Sequence, residues 1–277
     1  MADSSAIPNS FTSPITGATR VLGVIADPVV QARAPGMANA LLAQRGHASR
    51  HVLVAMQVGP AGLAQTVAAL RGWRNFDGAV VSMPHKMTIC ALLDELTPEA
   101  RMVGAVNVVR RREDGSLLGT VMDGAGFVGG LLRAGHEVRG KHCLLAGAGG
   151  AASAIAIALA QHGCASLTLL NRTVEKAEAL ATRVKAAYPQ AVLHVGSSAG
   201  ARYDIAINAT SLGMKPGDAL PFSLAQIDAS SLVAECVIAP EITALLETAR
   251  GRGRAIHTGP PMLAAQIEMM LAFMGAA

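Results

Sequence analysis

Cys143-Leu144-Leu145-Ala146-Gly147-Ala148-Gly149-Gly150-Ala151-Ala152 is the stretch on which the fold turns. Cys143–Ala146 is a short apolar run of the kind that forms a buried parallel strand. A turn of the form G-x-G-x-x-A follows and opens a helix predicted over Ala152–Gln161. Gly147 permits the tight turn, Gly149 lets backbone approach a pyrophosphate, and Ala152 is small enough for close helix–strand packing. The free N–H groups at the helix start are suited to phosphate. The bare pattern is weak, and the strand–turn–helix context carries it. The competing reading is a glycine turn in an Ala-rich chain with no ligand. The predicted contacts are Gly147, Ala148, Gly149, Gly150 and Ala151.

The next strand, Leu167–Leu170, selects the nucleotide. NAD sites place an acid at its end, some 20 residues on, for the ribose hydroxyls. Here the strand runs into Asn171-Arg172-Thr173, with no carboxylate. Arg172 would attract a 2′-phosphate that an acid would repel. Thr173 can donate its hydroxyl or cap the following helix. The cofactor expected is NADP.

Outward from this loop, strands alternate with helices, which predicts a parallel α/β arrangement. After the loop come a helix (Val174–Tyr188), strands at Val192–Val195, Ile205–Asn208 and Leu232–Ala234, and helices at Glu241–Arg250 and Pro261–Met274. Before it, strands are read at Val21–Ala26, His51–Met56 and Gly78–Ser82, with helices at Gly36–Arg45 and Gly62–Leu70. Val106–Arg110 and Leu117–Gly119 flank Glu113-Asp114-Gly115, a hairpin signal. A helix from Asp123 to Leu132 bridges the two units. The first 19 residues, rich in Ser, Thr, Pro and Ala, read as a loose tail.

Bulk properties narrow the function classes. The chain has 277 residues, enough for two domains, and 51% of them are hydrophobic. Net charge is +4, yet no basic run exceeds Arg110-Arg111-Arg112, so no nucleic-acid partner is expected. The four cysteines form no CxxC pair, which leaves no zinc or redox motif. Eighteen uncharged residues from Cys143 to Ala160 could pass for a membrane span, but the glycines inside them argue for strand, turn and helix. With no secretory signal, a cytoplasmic protein acting on a small molecule is expected.

Taken together, seven segments resemble the shikimate dehydrogenase family over nearly the whole chain after residue 20. They are Gly78-Ala-Val-Val-Ser-Met-Pro-His-Lys86, Gly104-Ala-Val-Asn107, Asp123-Gly124, Gly147-Ala-Gly-Gly-Ala151, Asn171-Arg-Thr173, Asn208-Ala-Thr-Ser-Leu-Gly-Met214 and Gly259-Pro-Pro-Met-Leu-Ala-Ala-Gln266. The resemblance implies an N-terminal parallel/mixed α/β substrate domain (20–122 with 258–277) and a Rossmann-type NADP-binding domain (123–257). It implies an oxidoreductase of aromatic amino acid biosynthesis, with a homodimer as an allowed assembly. Proton transfer falls on Lys86 and Asp123, since hydride addition to a ketone leaves an alkoxide needing a proton or a nearby cation. Asn107 and Gln266 correspond to substrate contacts, with Ser82 and Gln31 alongside. Asn208, Thr210, Ser211, Met214 and Gly259 correspond to the surroundings of the nicotinamide. Thr210 and Ser211 read equally well as turn hydroxyls.

The chain departs from the family on the substrate side. Where the family carries Ser-x-Ser-Pro to hold a carboxylate, this chain has Ala32-Arg33-Ala34-Pro35, and Val80 and Ile238 replace an Asn and a Tyr. Losing two hydrogen bonds to a charged group, at about 1.5–3 kcal/mol each, removes two to four decades of affinity. Gln31 or backbone N–H groups near Pro35 could compensate in part. Three readings therefore stand: a shikimate dehydrogenase with a rebuilt pocket and poor turnover, a paralogue with a less polar substrate, and a non-catalytic NADP sensor. The retained Lys86 and Asp123 argue against the sensor.

Overall fold

A computed structural model describes residues 15–196, 202–227 and 231–276. Two six-stranded sheets divide the described residues. The first holds β1 (Arg20–Ala26), β2 (His51–Gln57), β3 (Phe76–Val81), β4 (Glu95–Leu96), β5 (Val108–Arg111) and β6 (Leu117–Thr120), in the order β2-β1-β3-β5-β6-β4. β1 pairs parallel with β2 and β3, while β5 runs antiparallel to both β3 and β6. The helices of this half are α1 (Ala34–Gln44), α2 (Leu63–Gly72) and the short α3 (Pro98–Val103).

The second sheet is built from β7 (His142–Ala146), β8 (Ser166–Leu170), β9 (Leu193–Val195), β10 (Ile205–Asn208), β11 (Leu232–Glu235) and β12 (Ala255–His257). All are parallel, in the order β9-β8-β7-β10-β11-β12. That is the doubly wound dinucleotide-binding order, with its crevice between β7 and β10. Its helices are α5 (Gly150–Gln161), α6 (Val174–Ala187) and α7 (Ala244–Gly251). Parallel strands with both faces covered need unbroken apolar runs, and β7 and β10 are buried along nearly their whole length.

α4 (Asp123–Arg133) and α8 (Pro260–Phe273) join the halves. α4 packs against both α5 and α8, and α8 also packs against α1 and β5. Glycine makes α4 thin enough for this. A Cβ on Gly124 would stand 2.3 Å from the Ala154 carbonyl, and one on Gly126 would stand 2.8 Å from that of Met262. α8 contributes Leu263, Ile267, Met270 and Leu271 to the core of the first half, with Leu22, Val24, Ala38 and Leu42.

Several sequence-based boundaries move. The helix read from Gly36 begins at Ala34, because Pro35 suits a first helical turn. The helix read from Glu241 begins at Ala244, capped by the Thr243 hydroxyl through the Leu246 N–H. α3, β4 and β12 escape the sequence reading because each is too short to show a period. Of the expected loose tail, residues 15–18 are exposed, whereas Thr19 is buried and its hydroxyl donates to the Ser49 carbonyl. Residues 1–14 lie outside the described part. On the β5–β6 hairpin Arg110 is exposed, Arg111 donates to the Arg71 carbonyl and Arg112 to Glu95 at the surface.

Candidate active site

Register brings the cofactor segments to one edge. Ala146 pairs with Leu170 on one side and Asn208 on the other, so the loops after β7, β8 and β10 leave the sheet at the same level. Gly147, at φ +119°, adopts a backbone that side-chain-bearing residues avoid. A Cβ there would also meet the Ala209 carbonyl at 2.7 Å. Gly149 is different: it is the N-cap of α5 at φ −82°, ψ −173°, and a Cβ on it would meet nothing within 4 Å. No side chain caps α5, so its first-turn N–H groups stay open toward that space. An approaching pyrophosphate fits these donors.

At the end of β8, Asn171 donates to the Thr173 carbonyl at 2.8 Å and shapes the turn. Arg172 and Thr173 are exposed. Thr173 occupies the N-cap of α6, but its hydroxyl makes no capping bond, so of its two sequence readings the capping one does not hold. Both side chains remain available to a ligand beside the loop.

The loop after β10 is braced from within. Asn208 is fully buried and its amide nitrogen donates to the Leu212 carbonyl and to Glu235 Oε1. Its oxygen accepts from the N–H and the hydroxyl of Thr210. Every polar position of Asn208 is thus spent, and the Thr210 hydroxyl also accepts from the Leu212 N–H. These two shape the loop, while Ser211 is exposed and Met214 half-buried. Glu235 also accepts from the Thr243 hydroxyl at 2.7 Å. Burial pushes its carboxyl above the usual carboxylate range, and the bonds from Asn208 and Thr243 pull it partly back. Sequence reading passed over Glu235 and Thr243; an acid closing an apolar strand was the available signal. Gly259 is likewise a close-approach position, since a Cβ there would lie 2.1 Å from the Val237 carbonyl.

The first sheet supplies the other half. Lys86 lies in the loop after β3, which is tied to the loop after β1 by Asp27 N–H to the Met83 carbonyl. Neighbouring His85 is buried and bonds the Val58 carbonyl at 2.6 Å. The Lys86 ammonium donates to Asp123 Oδ2, with side chains only 15% and 4% exposed. Asn107 donates to Asp123 Oδ1 and to Gln266 Oε1, both at 3.0 Å, and its own oxygen accepts from the Met122 N–H. Four of the predicted residues, from the loop after β3, the residue before β5, and the helices α4 and α8, therefore form one bonded network. Asn107 is consumed inside it. The remaining Lys86 protons and the Gln266 amide nitrogen make no other hydrogen bond among the described residues, so the network offers donors. Such donors suit a carbonyl or alkoxide oxygen. Ser82 and Gln31 are half-buried in the neighbouring loops, and their side chains form no bond to the network.

The two halves meet here. A Cβ on Gly150 would come within 3.0 Å of Lys86 Cβ and 3.3 Å of Ala105 Cβ, so the glycine loop rests directly on the lysine's segment. Cys236, missed in the sequence, stands beside the same pair. Burial pushes its thiol up to about 12, with the charge of Asp123 adding to the effect, so it is a neutral group that donates to the Asn208 carbonyl. Ala32, Ala34, Ala38, Val80, Met122 and Ile238 share one apolar cluster with α8.

A doubly wound sheet whose glycine loop rests against a buried, hydrogen-bonded Lys–Asp pair is the arrangement of a nicotinamide-dependent oxidoreductase acting on a CH–OH group. Residues 24–109 match the model of the shikimate dehydrogenase substrate binding domain, and residues 132–214 match that of shikimate / quinate 5-dehydrogenase. The shikimate dehydrogenase (NADP(+)) of Rubrobacter xylanophilus is 41% identical over 271 residues, covering 94% of this chain and 93% of its own. This chain belongs to the shikimate dehydrogenase family. Among solved structures, the shikimate 5-dehydrogenase of Listeria monocytogenes in complex with shikimate and NAD is 33% identical, with a TM-score of 0.84 and coverage of 97% and 96%. The ligand-free 5-ketofructose reductase of Gluconobacter sp. is 30% identical, with a TM-score of 0.79 and coverage of 93% of both chains.

Proposed function

We propose that this chain transfers hydride between NADP(H) and the carbinol carbon of a cyclic hydroxy or keto compound, with 3-dehydroshikimate and shikimate as the reference pair. The observation that carries this is the Lys86–Asp123–Asn107–Gln266 network, held against the cofactor loop through Gly150. In reduction, hydride reaches the carbonyl carbon and the developing alkoxide takes a proton from the Lys86–Asp123 pair. Asn107 holds Asp123 and Gln266 in place, which leaves the Gln266 amide nitrogen to meet the substrate oxygen. Residues 20–122 with 258–277 form the substrate half, and 123–257 the cofactor half.

NADP is the cofactor, supported by the uncommitted Arg172 and Thr173 beside the glycine loop. Arg172→Ala is expected to weaken NADPH binding by about tenfold or more, the worth of one charge-assisted bond, and to leave NADH binding unchanged. Fluorescence titration of both cofactors checks this, and equal loss for the two would refute it.

A second reading of the substrate is favoured by the apolar cluster. The side chains of Ala32, Ala34, Val80 and Ile238, clustered against α8, carry no donor for a substrate carboxylate. A substrate without a carboxylate, of the neutral kind named for the Gluconobacter reductase, suits such a cluster. Shikimate and its uncharged methyl ester, compared with NADP, separate the two. A higher kcat/KM for the ester supports the neutral substrate, and a preference for the acid by two decades restores shikimate. Lys86→Ala is expected to abolish either turnover while NADPH still binds. A Lys86→Ala variant of undiminished rate would overturn the proton-transfer assignment, and a wild type that binds NADPH but reduces nothing would point to a sensor.

A further inference from the structure

Arg183, on the third turn of α6, has a guanidinium that rests on both the cofactor helix and the substrate half. Its Nη2 donates at 3.1 Å to the hydroxyl of Ser153, which is fully buried on α5. Ser153 in turn donates its N–H to the carbonyl of Gly149 at 2.8 Å, at the open face of the glycine loop. On the other side, Arg183 packs on Gly104. That residue caps α3 in the left-handed region (φ +71°), and a Cβ there would come within 2.8 Å of Arg183 Nη1. α3 itself packs on both α5 and α6.

Gly104 opens the segment that carries the site. Ala105 touches Gly150, Val106 N–H donates to the Lys86 carbonyl at 2.8 Å, and Asn107 holds Asp123 and Gln266. A continuous line thus runs from Gly149 through Ser153, Arg183 and Gly104 to Asn107 and Lys86. A stability role alone does not account for the side chain well. Its Nε is buried with no partner, a costly arrangement for a charged group, and an aliphatic residue would fill the space without that cost. Arginine offers instead a rigid planar fork that can bond two surfaces at fixed angles.

We propose that Arg183 is a positioning residue that ties the cofactor helix to the Gly104–Asn107 segment and so sets where Lys86 and Asn107 stand relative to a bound nicotinamide. It touches neither cofactor nor substrate. Its effect is on the approach distance, where a displacement of about 1 Å costs on the order of a hundredfold in rate. The proposal rests on the NADP-dependent reading given above.

Hydride transfer and amide hydrogen exchange test it together, on the full chain. In the wild type, NADPH is expected to slow exchange over residues 100–107. In Arg183→Met that protection is expected to drop by about tenfold, while the NADPH dissociation constant stays within about threefold. At saturating NADPH, kcat is expected to fall by about ten- to a hundredfold, with a larger isotope effect from NADPH deuterated at the transferred position. Arg183→Lys, which keeps the charge without the fork, should recover only part of the rate. Ser153→Ala removes one bond and should show the same changes at smaller size, which keeps the test open if the methionine variant does not fold. Unchanged protection of 100–107, or an unchanged kcat and isotope effect, in a variant that folds and binds NADPH overturns the proposal. A wild type that fails to bind NADPH instead sinks the functional reading, and this proposal with it.

Discussion

Two glycines two residues apart illustrate how differently one residue type is used. Gly147 is demanded by its own backbone, with φ +119° and the Ala209 carbonyl in the way of any side chain. Gly149 is demanded by nothing in the protein, since a Cβ there would enter empty space. Gly149→Ala is therefore expected to fold with a stability within about 0.5 kcal/mol of the wild type, and to lose NADPH binding. Thermal denaturation beside a cofactor titration reads both, and normal NADPH affinity in the variant would remove the pyrophosphate from this loop. The motif was legible in the sequence because it depends on neighbours along the chain. The fate of Asn208 was not legible. Its likeness to a nicotinamide contact was plain, and three of its four bonds are to Thr210 and Leu212 close along the chain, but the fourth, to Glu235, depends on how β10 and β11 pair.

At the scale of elements, the β10 and β11 ends form a small buried polar unit of Asn208, Glu235 and Thr243. Burial raises the Glu235 carboxyl above its unfolded value. A raised carboxyl binds its proton more tightly in the folded state. Its contribution to stability is therefore complete below the unfolded carboxylate pKa and is lost as pH climbs through the folded value. Glu235→Gln is expected to remove that part of the decline, measured as unfolding free energy in urea from pH 4 to pH 8. An identical slope in wild type and variant would show that Glu235 does not titrate in this window. Element boundaries were readable to within a residue where an apolar run was long, as in β1 and β7, while the start of α1 was read two residues late despite Pro35. They were unreadable where an element exists only through packing. β12 has three residues, and its strand identity comes entirely from lying beside β11.

At the scale of the molecule, α4 is the piece on which both halves depend. It begins with Asp123, turns its glycines toward α5 and α8, and passes the chain from one sheet to the other. Gly124→Ala would force a Cβ to within 2.3 Å of the Ala154 carbonyl. The expected result is a loss of about 1–3 kcal/mol in a denaturant titration, with a lower kcat as Asp123 shifts away from Lys86. Full stability would mean that α5 yields more easily than a packed backbone should. The sequence by itself determined what depends on local order: the strand–turn–helix of the glycine loop, the missing acid and the arginine after β8, the α/β alternation, and the resemblance of seven ordered segments to one family. Only the tertiary structure decided that residues 86, 107, 123 and 266 share hydrogen bonds, that Gly150 lies on Lys86, that Arg183 bridges the halves, and that Ala32, Ala34, Val80 and Ile238 share one apolar cluster. The physical reason is separation along the chain. Local geometry follows from each residue's own torsions and its neighbours' chemistry, whereas contacts such as Asn107 to Gln266, 159 residues apart, exist only after α8 has returned to pack on the first sheet.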